Sequence, residues 1–201
     1  MKAISKWKYI LLCLMILLLA GAAFIAIRFR GSKVVHAKED ALPGKEIVFY
    51  RQDDDRWAEE KLGDSSYTLK SSGCLVCCIA SAVSMTDEKE ETPLALNEQF
   101  SAENVYDAEG NILWGNLRKS GNYEVDVLSE VSGDLLTEYL KEGKYPVVRV
   151  RTHGIGNFHY VLIVKAEDGE FYCMDPLQDG LVSLAEYGNR IYAIRCVSIG
   201  K

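Results

Sequence analysis

Residues 145–174 read YPVVRVRTHGIGNFHYVLIVKAEDGEFYCM. Their β-branched and aromatic content predicts three strands, Tyr145–Arg151, Phe158–Lys165 and Glu170–Met174. Glu167-Asp168-Gly169 supplies a hairpin turn between the second and third. Farther on, Ile191–Val197 (IYAIRCV) has the same strand character. Upstream the pattern changes. From Cys74, CLVCCIASAVSM is apolar or small nearly all round, which predicts a buried helix beginning just after Ser72-Gly73. Thr92-Pro93 opens a second helix through Phe100, because Pro is tolerated in a first helical turn. Short helices follow at Ile112–Lys119, ended by Gly121, and at Leu135–Glu142, capped by Gly143. Helices first and an antiparallel sheet afterwards define an α+β arrangement.

The amino-terminal region is of another kind. Tyr9–Ile27 (YILLCLMILLLAGAAFIAI) is an uncharged run of 19 residues, a helix of about 28 Å, close to the thickness of a bilayer's hydrocarbon core. Trp7 and Tyr9 stand at its start, where amphipathic rings favour the membrane interface. The run exceeds a cleavable signal core and Arg28 and Arg30 follow it directly, so it reads as an uncleaved signal anchor. Cys13, early in the run, is expected to be membrane-buried and inert. Residues 1–8 form a short tail, 9–27 the anchor, 28–45 a tether without sustained periodicity that holds an exposed His36, and 46–201 the folded domain. Leaving the short tail in the cytoplasm makes this a single-pass protein of the cell membrane with its domain outside.

The net charge of −6 conceals an asymmetry. Through Lys45 there are eight Lys or Arg against two acidic residues, a net of +6; from Glu46 onward 15 basic face 27 acidic residues, a net of −12. A domain that acidic repels phosphate backbones, which argues against a nucleic-acid partner. Outside the anchor lie Cys74, Cys77, Cys78, Cys173 and Cys196, an odd number that flags a reactive thiol. Disulfides among Cys77, Cys78, Cys173 and Cys196 are conceivable, without a pairing being assignable. No phosphate-binding loop or dinucleotide fingerprint occurs, so no cofactor is expected.

Four residues form a candidate catalytic set. Cys74 opens the buried helix, where free backbone N–H groups and the helix dipole stabilise a thiolate. A cysteine in such a place often packs as a small hydrophobe, so the position alone is indecisive. His159 enters an apolar strand, a rigid and partly desolvated mount for a base. His153, on the Gly-rich loop before it, is the second choice. Asp175 follows the next strand of the hairpin, whose far end returns alongside the start of the His159 strand. There a carboxylate can hold one imidazole nitrogen and leave the other facing sulfur. Gln52 lies upstream and offers a side-chain amide for an oxyanion.

With Gln52-Asp53-Asp54-Asp55-Arg56-Trp57, Tyr67-Thr68-Leu69 leading into Ser72-Gly73-Cys74, Thr92-Pro93, His159-Tyr160-Val161 and Asp175-Pro176, the chain resembles the bacteriocin-processing-peptidase-like (double-glycine leader peptidase-like) cysteine peptidases of bacteria. The resemblance spans roughly residues 47–197. It implies a papain-like fold, with N-terminal helices packed on the C-terminal sheet. It also implies a nucleophilic Cys74, a basic His159, an orienting Asp175 and an oxyanion-hole Gln52. The chain departs from that family after the nucleophile, having Leu75-Val76-Cys77-Cys78 in place of Gly-Pro-Thr-Ser, and it encodes no transporter. Cleavage of double-glycine leaders is therefore not implied.

The expected activity is membrane-anchored hydrolysis of peptide or related amide bonds, with a peptide or protein as substrate. Two alternatives remain: a catalytically inactive peptide-binding domain of the same fold, and a thiol-redox protein using Cys74 and Cys77. The redox reading expects a βαβ context that the chain before Cys74 lacks. A zinc site from Cys74, Cys77, Cys78 and His159 is disfavoured, since adjacent helical cysteines point about 100° apart.

Overall fold

The computed structural model describes residues 3–86 and 90–200, and the chain divides into two compact units at Ser32/Lys33. The first unit carries α1 (Ala3–Phe29), within which Lys6–Phe29 is long and apolar enough to cross a membrane. The leucines and isoleucines of Lys6–Phe29 are exposed, the surface a hydrocarbon environment would cover.

The second unit is α+β. In chain order it contains β1 (Lys33–Val34), α2 (Leu69–Ser72), α3 (Cys74–Thr86), α4 (Pro93–Ala102), α5 (Trp114–Lys119), β2 (Tyr123–Leu128), α6 (Gly133–Lys141), β3 (Val147–Arg151), β4 (Phe158–Glu167), β5 (Glu170–Met174), β6 (Leu181–Ser183), β7 (Arg190–Ile191) and β8 (Ala193–Ile199). Six strands form an antiparallel sheet in the order β2-β8-β3-β4-β5-β6. Against it packs α3, touching β3, β4 and β8, with Val76 to Val83 and Met85 buried. A helix apolar on every side can be stable only in the middle of a core, and α3 occupies that place.

The expected helices form with small shifts of their ends. Thr92 caps α4 by accepting from the Ala95 N–H at 3.2 Å, with Pro93 in the first turn. Ser132 caps α6 in the same way through the Leu135 N–H at 3.2 Å. Asp168 and Gly169, at φ 52° and 83°, make the β4–β5 turn, the left-handed pair that matches the twist of a two-residue hairpin.

Two parts of the unit depart from the sequence reading. Strands β2 and β6 were not expected, and β2 extends the sheet along β8, from Tyr123 opposite Ile199 to Leu128 opposite Ile194. Residues 33–45 are also not a free tether. Strand β1 pairs with β7, the Val35 N–H donates to the Asn189 carbonyl at 2.9 Å, and Ala41 exchanges both backbone hydrogen bonds with Ala166 at 2.8 and 2.9 Å. Val35, Ala37 and Ala41 are buried. The folded unit therefore begins at Lys33 rather than Glu46. Small side chains and main-chain pairing anchor this segment, and neither leaves an amphipathic pattern to read.

The turn that delivers Cys74 is tightly built. Thr68 and Ser71 form a reciprocal capping box around α2, and Gly73 follows, donating its N–H to the Leu69 carbonyl at 2.7 Å. A Cβ on Gly73 would stand 2.4 Å from that carbonyl oxygen and 2.7 Å from the Leu69 Cα. Gly73→Ala is expected to destabilise the unit by about 1–3 kcal/mol. Urea unfolding measures this, and a stability equal to that of the parent would contradict the close packing of α2 on α3.

Candidate active site

The start of α3 and the start of β4 meet at one cleft of about 650 Å³, lined by Gln52, Cys74, Trp114, Arg149, Phe158, His159 and Tyr160 among others. Cys74 is partly exposed there, at the first position of a helix whose amide N–H groups have no carbonyl behind them. His159 is buried. Its Nε2 lies 2.6 Å from the Asp175 Oδ1, and the ring lines the same cleft as Cys74. With Nε2 committed to the carboxylate, Nδ1 is the nitrogen left for sulfur.

Sheet register accounts for the meeting. Leu162 faces Met174 and Ile163 faces Cys173 across β4 and β5, so the residue after Met174 returns toward the beginning of β4. His159 and Asp175 then share one sheet face by the two-residue period. Gln52 arrives from a separate loop, tied by its N–H to the Pro176 carbonyl at 3.0 Å. Its side-chain Nε2 donates one hydrogen to the Lys70 carbonyl at 2.6 Å and retains a second, while its Oε1 is buried without a partner.

The electrostatics follow from this burial. Desolvation pushes His159 down, but the Asp175 hydrogen bond, and then Cys74, outweigh it and carry the ring up to about 9. Burial pushes Asp175 up, yet the bond to His159, the bond from Tyr187 and the Leu177 N–H together hold it down at about 2. The site thus favours an imidazolium beside a carboxylate.

Tyr187 and Gln178 were not anticipated. The Tyr187 hydroxyl donates to the Asp175 Oδ2, Gln178 Nε2 donates to the same oxygen at 3.1 Å, and the Leu177 N–H donates to Oδ1 at 2.8 Å. Burial and the carboxylate keep Tyr187 well above its ordinary value, hence protonated and a donor. Tyr187 sits in a short 3-10 turn, Leu184–Tyr187, and carries no motif to announce it. Tyr187→Phe is expected to raise Asp175 above about 2 and to cost about 2 kcal/mol, read by carboxyl NMR titration and urea unfolding at pH 6. An unmoved Asp175 would remove Tyr187 from the network.

His153 takes no part in this arrangement. It is exposed at φ 51° and lines a separate pocket with Thr152, Asp175 and Tyr187. All six cysteines are free thiols. Burial pushes Cys77, Cys78, Cys173 and Cys196 upward, which keeps them neutral and hydrophobic in the core. Among the described residues no group of three or more His, Cys, Asp or Glu is arranged to hold a metal ion. No protein-family model matches the chain, and no curated protein matches its sequence.

Proposed function

We propose that the folded unit is a cysteine hydrolase of papain-like fold, acting on peptide or related amide bonds and held to the cell membrane by α1, with the folded unit on its outer side. The observation that carries this reading is a buried His159 bonded to Asp175 and lining one open cleft with Cys74 and Gln52. In the reaction the Cys74 sulfur attacks the carbonyl carbon as a thiolate, its proton already held by the His159 imidazolium. The resulting oxyanion is met by the free Gln52 N–H and the Cys74 backbone N–H. His159 then protonates the departing amine as the C–N bond breaks. Water, deprotonated by His159, attacks the thioester, and the acid leaves as the thiol is restored.

The test is turnover of a proteome-derived peptide mixture by the intact, detergent-solubilised protein before and after stoichiometric alkylation of Cys74. Cleavage that stops on alkylation is expected; cleavage that persists would refute the assignment. A membrane-impermeant maleimide applied to intact cells should reach Cys74, and labelling only after lysis would reverse the topology.

A further inference from the structure

Beside the cleft stands a pair of arginines that the hydrolytic chemistry does not use, Arg149 in the cleft lining and Arg195 on the neighbouring strand. Arg149 faces Tyr160 across β3 and β4, and on β8 Ala193 faces Arg149 while Arg195 faces Val147. The two arginines therefore leave the same sheet face from neighbouring strands, as diagonal neighbours. Both guanidinium groups lie over aromatic rings, Arg149 4.3 Å from the Phe158 centroid and Arg195 5.5 Å from that of Trp114. Stacking satisfies the faces of a guanidinium and leaves its N–H edges to be paired.

Those edges are incompletely paired. The Nε atoms of both Arg149 and Arg195 are buried without an acceptor, and Arg195 Nη1 donates only to the neighbouring Ile194 carbonyl at 2.7 Å. Among the described residues neither arginine forms an ion pair. This is not for want of acids, because acidic residues outnumber basic ones 27 to 15 from Glu46 onward. Burial depresses Arg195, Tyr160 draws it back up, and the like charge of Arg149 adds to the depression. Two cations kept together and away from the chain's own carboxylates gain most from an anion brought by a ligand. Arg149, Trp114, Phe158 and Tyr160 line the same cleft as Cys74 and His159.

We propose that Arg149 and Arg195 form a specificity subsite that takes a carboxylate of the peptide substrate, so that the bond attacked by Cys74 lies within a few residues of an acidic group. This rests on the hydrolase reading above. The carboxylate belongs to an Asp or Glu side chain or to the peptide's C-terminus, and both present the same planar anion to the guanidinium edges.

The experiment uses pools of pentapeptides carrying Glu or Gln at each position in turn, with free or amidated C-termini, and the intact protein alongside Arg149→Met and Arg195→Met. The parent protein is expected to cleave the preferred carboxylate-bearing pool about tenfold or more faster in kcat/KM than its neutral counterpart. Either Met variant should cost the carboxylate-bearing pool about tenfold more in kcat/KM than the neutral pool, bringing the two close to parity. A preference for Glu that survives amidation identifies the side chain; one lost on amidation identifies the terminal carboxylate. Equal cleavage of charged and neutral pools, or an equal loss on both in the Met variants, overturns the subsite while leaving the hydrolase intact. If no pool is cleaved, the hydrolase reading fails, and fluorescence anisotropy of the labelled pools decides the subsite alone. Arginine-dependent binding about tenfold tighter for the carboxylate pools sustains it, and equal binding sinks it.

Discussion

Cys74→Ala and His159→Ala are each expected to lower kcat/KM by on the order of 10⁴-fold or more, and the double variant to lose hardly more than either alone. On the proposed hydrolase reading, sulfur and imidazole act as one device. Without the ring at β4 no other described residue lining the cleft can take the thiol proton or protonate the leaving amine, and without the thiol the ring has no nucleophile to serve. Independent contributions would instead multiply, so a double variant with the product of the two losses would break the pairing. The His159 variant has a second readout in the alkylation of Cys74 by iodoacetamide near pH 7, expected to slow by about 10²-fold or more. Unchanged alkylation would mean that His159 does not govern the thiol.

Asp175→Asn is expected to cut kcat/KM by on the order of 10²–10⁴-fold and to lower stability by about 3 kcal/mol near pH 5.5, since it leaves a buried imidazolium without its counter-charge. The pH dependence carries the sign. Asp175 falls from an ordinary 3.8 to about 2 on folding, so its stabilisation is present above about 4 and fades as pH drops toward 2. His159 rises from 6.5 to about 9, so its stabilisation is complete below about 6.5 and fades as pH climbs through 9. The gap in stability between parent and variant should therefore be widest between about pH 4 and 6.5 and narrow on both sides. Denaturant unfolding across that range measures it, and a gap flat with pH would disprove the ion pair. In the variant, NMR titration of His159 should find its midpoint moved from about 9 toward 6.5, because burial then meets less opposition.

Where Cys74, His159 and Asp175 stand could be read in advance because local sequence pattern fixes those places, although it does not fix what they do. Gly73 before an all-apolar helix marks where Cys74 must stand, and the Asp168-Gly169 turn fixes the return of β5 toward His159. Gln52 could be named but not placed, since its position depends on a main-chain bond to Pro176 and a side-chain bond to the Lys70 carbonyl. Tyr187, Arg149 and Arg195 stayed hidden for a different reason. Their roles arise from neighbours brought by other strands, and a Tyr in a short turn or an Arg in a strand has no distinguishing spacing. Strand β2 alternates buried and exposed residues only over its first half, too short a pattern to stand out beside the charged residues around it.

The early attachment of the chain to its sheet bears on how this protein could be shed. A cut just beyond Ala41 would separate from the rest of the unit both the partner of β7 and the partner of Ala166, and with them the buried Val35, Ala37 and Ala41. Clean liberation of a soluble, still-folded fragment is confined to the few bonds between the end of α1 at Phe29 and Lys33. A nick later in the segment would yield a frayed product instead.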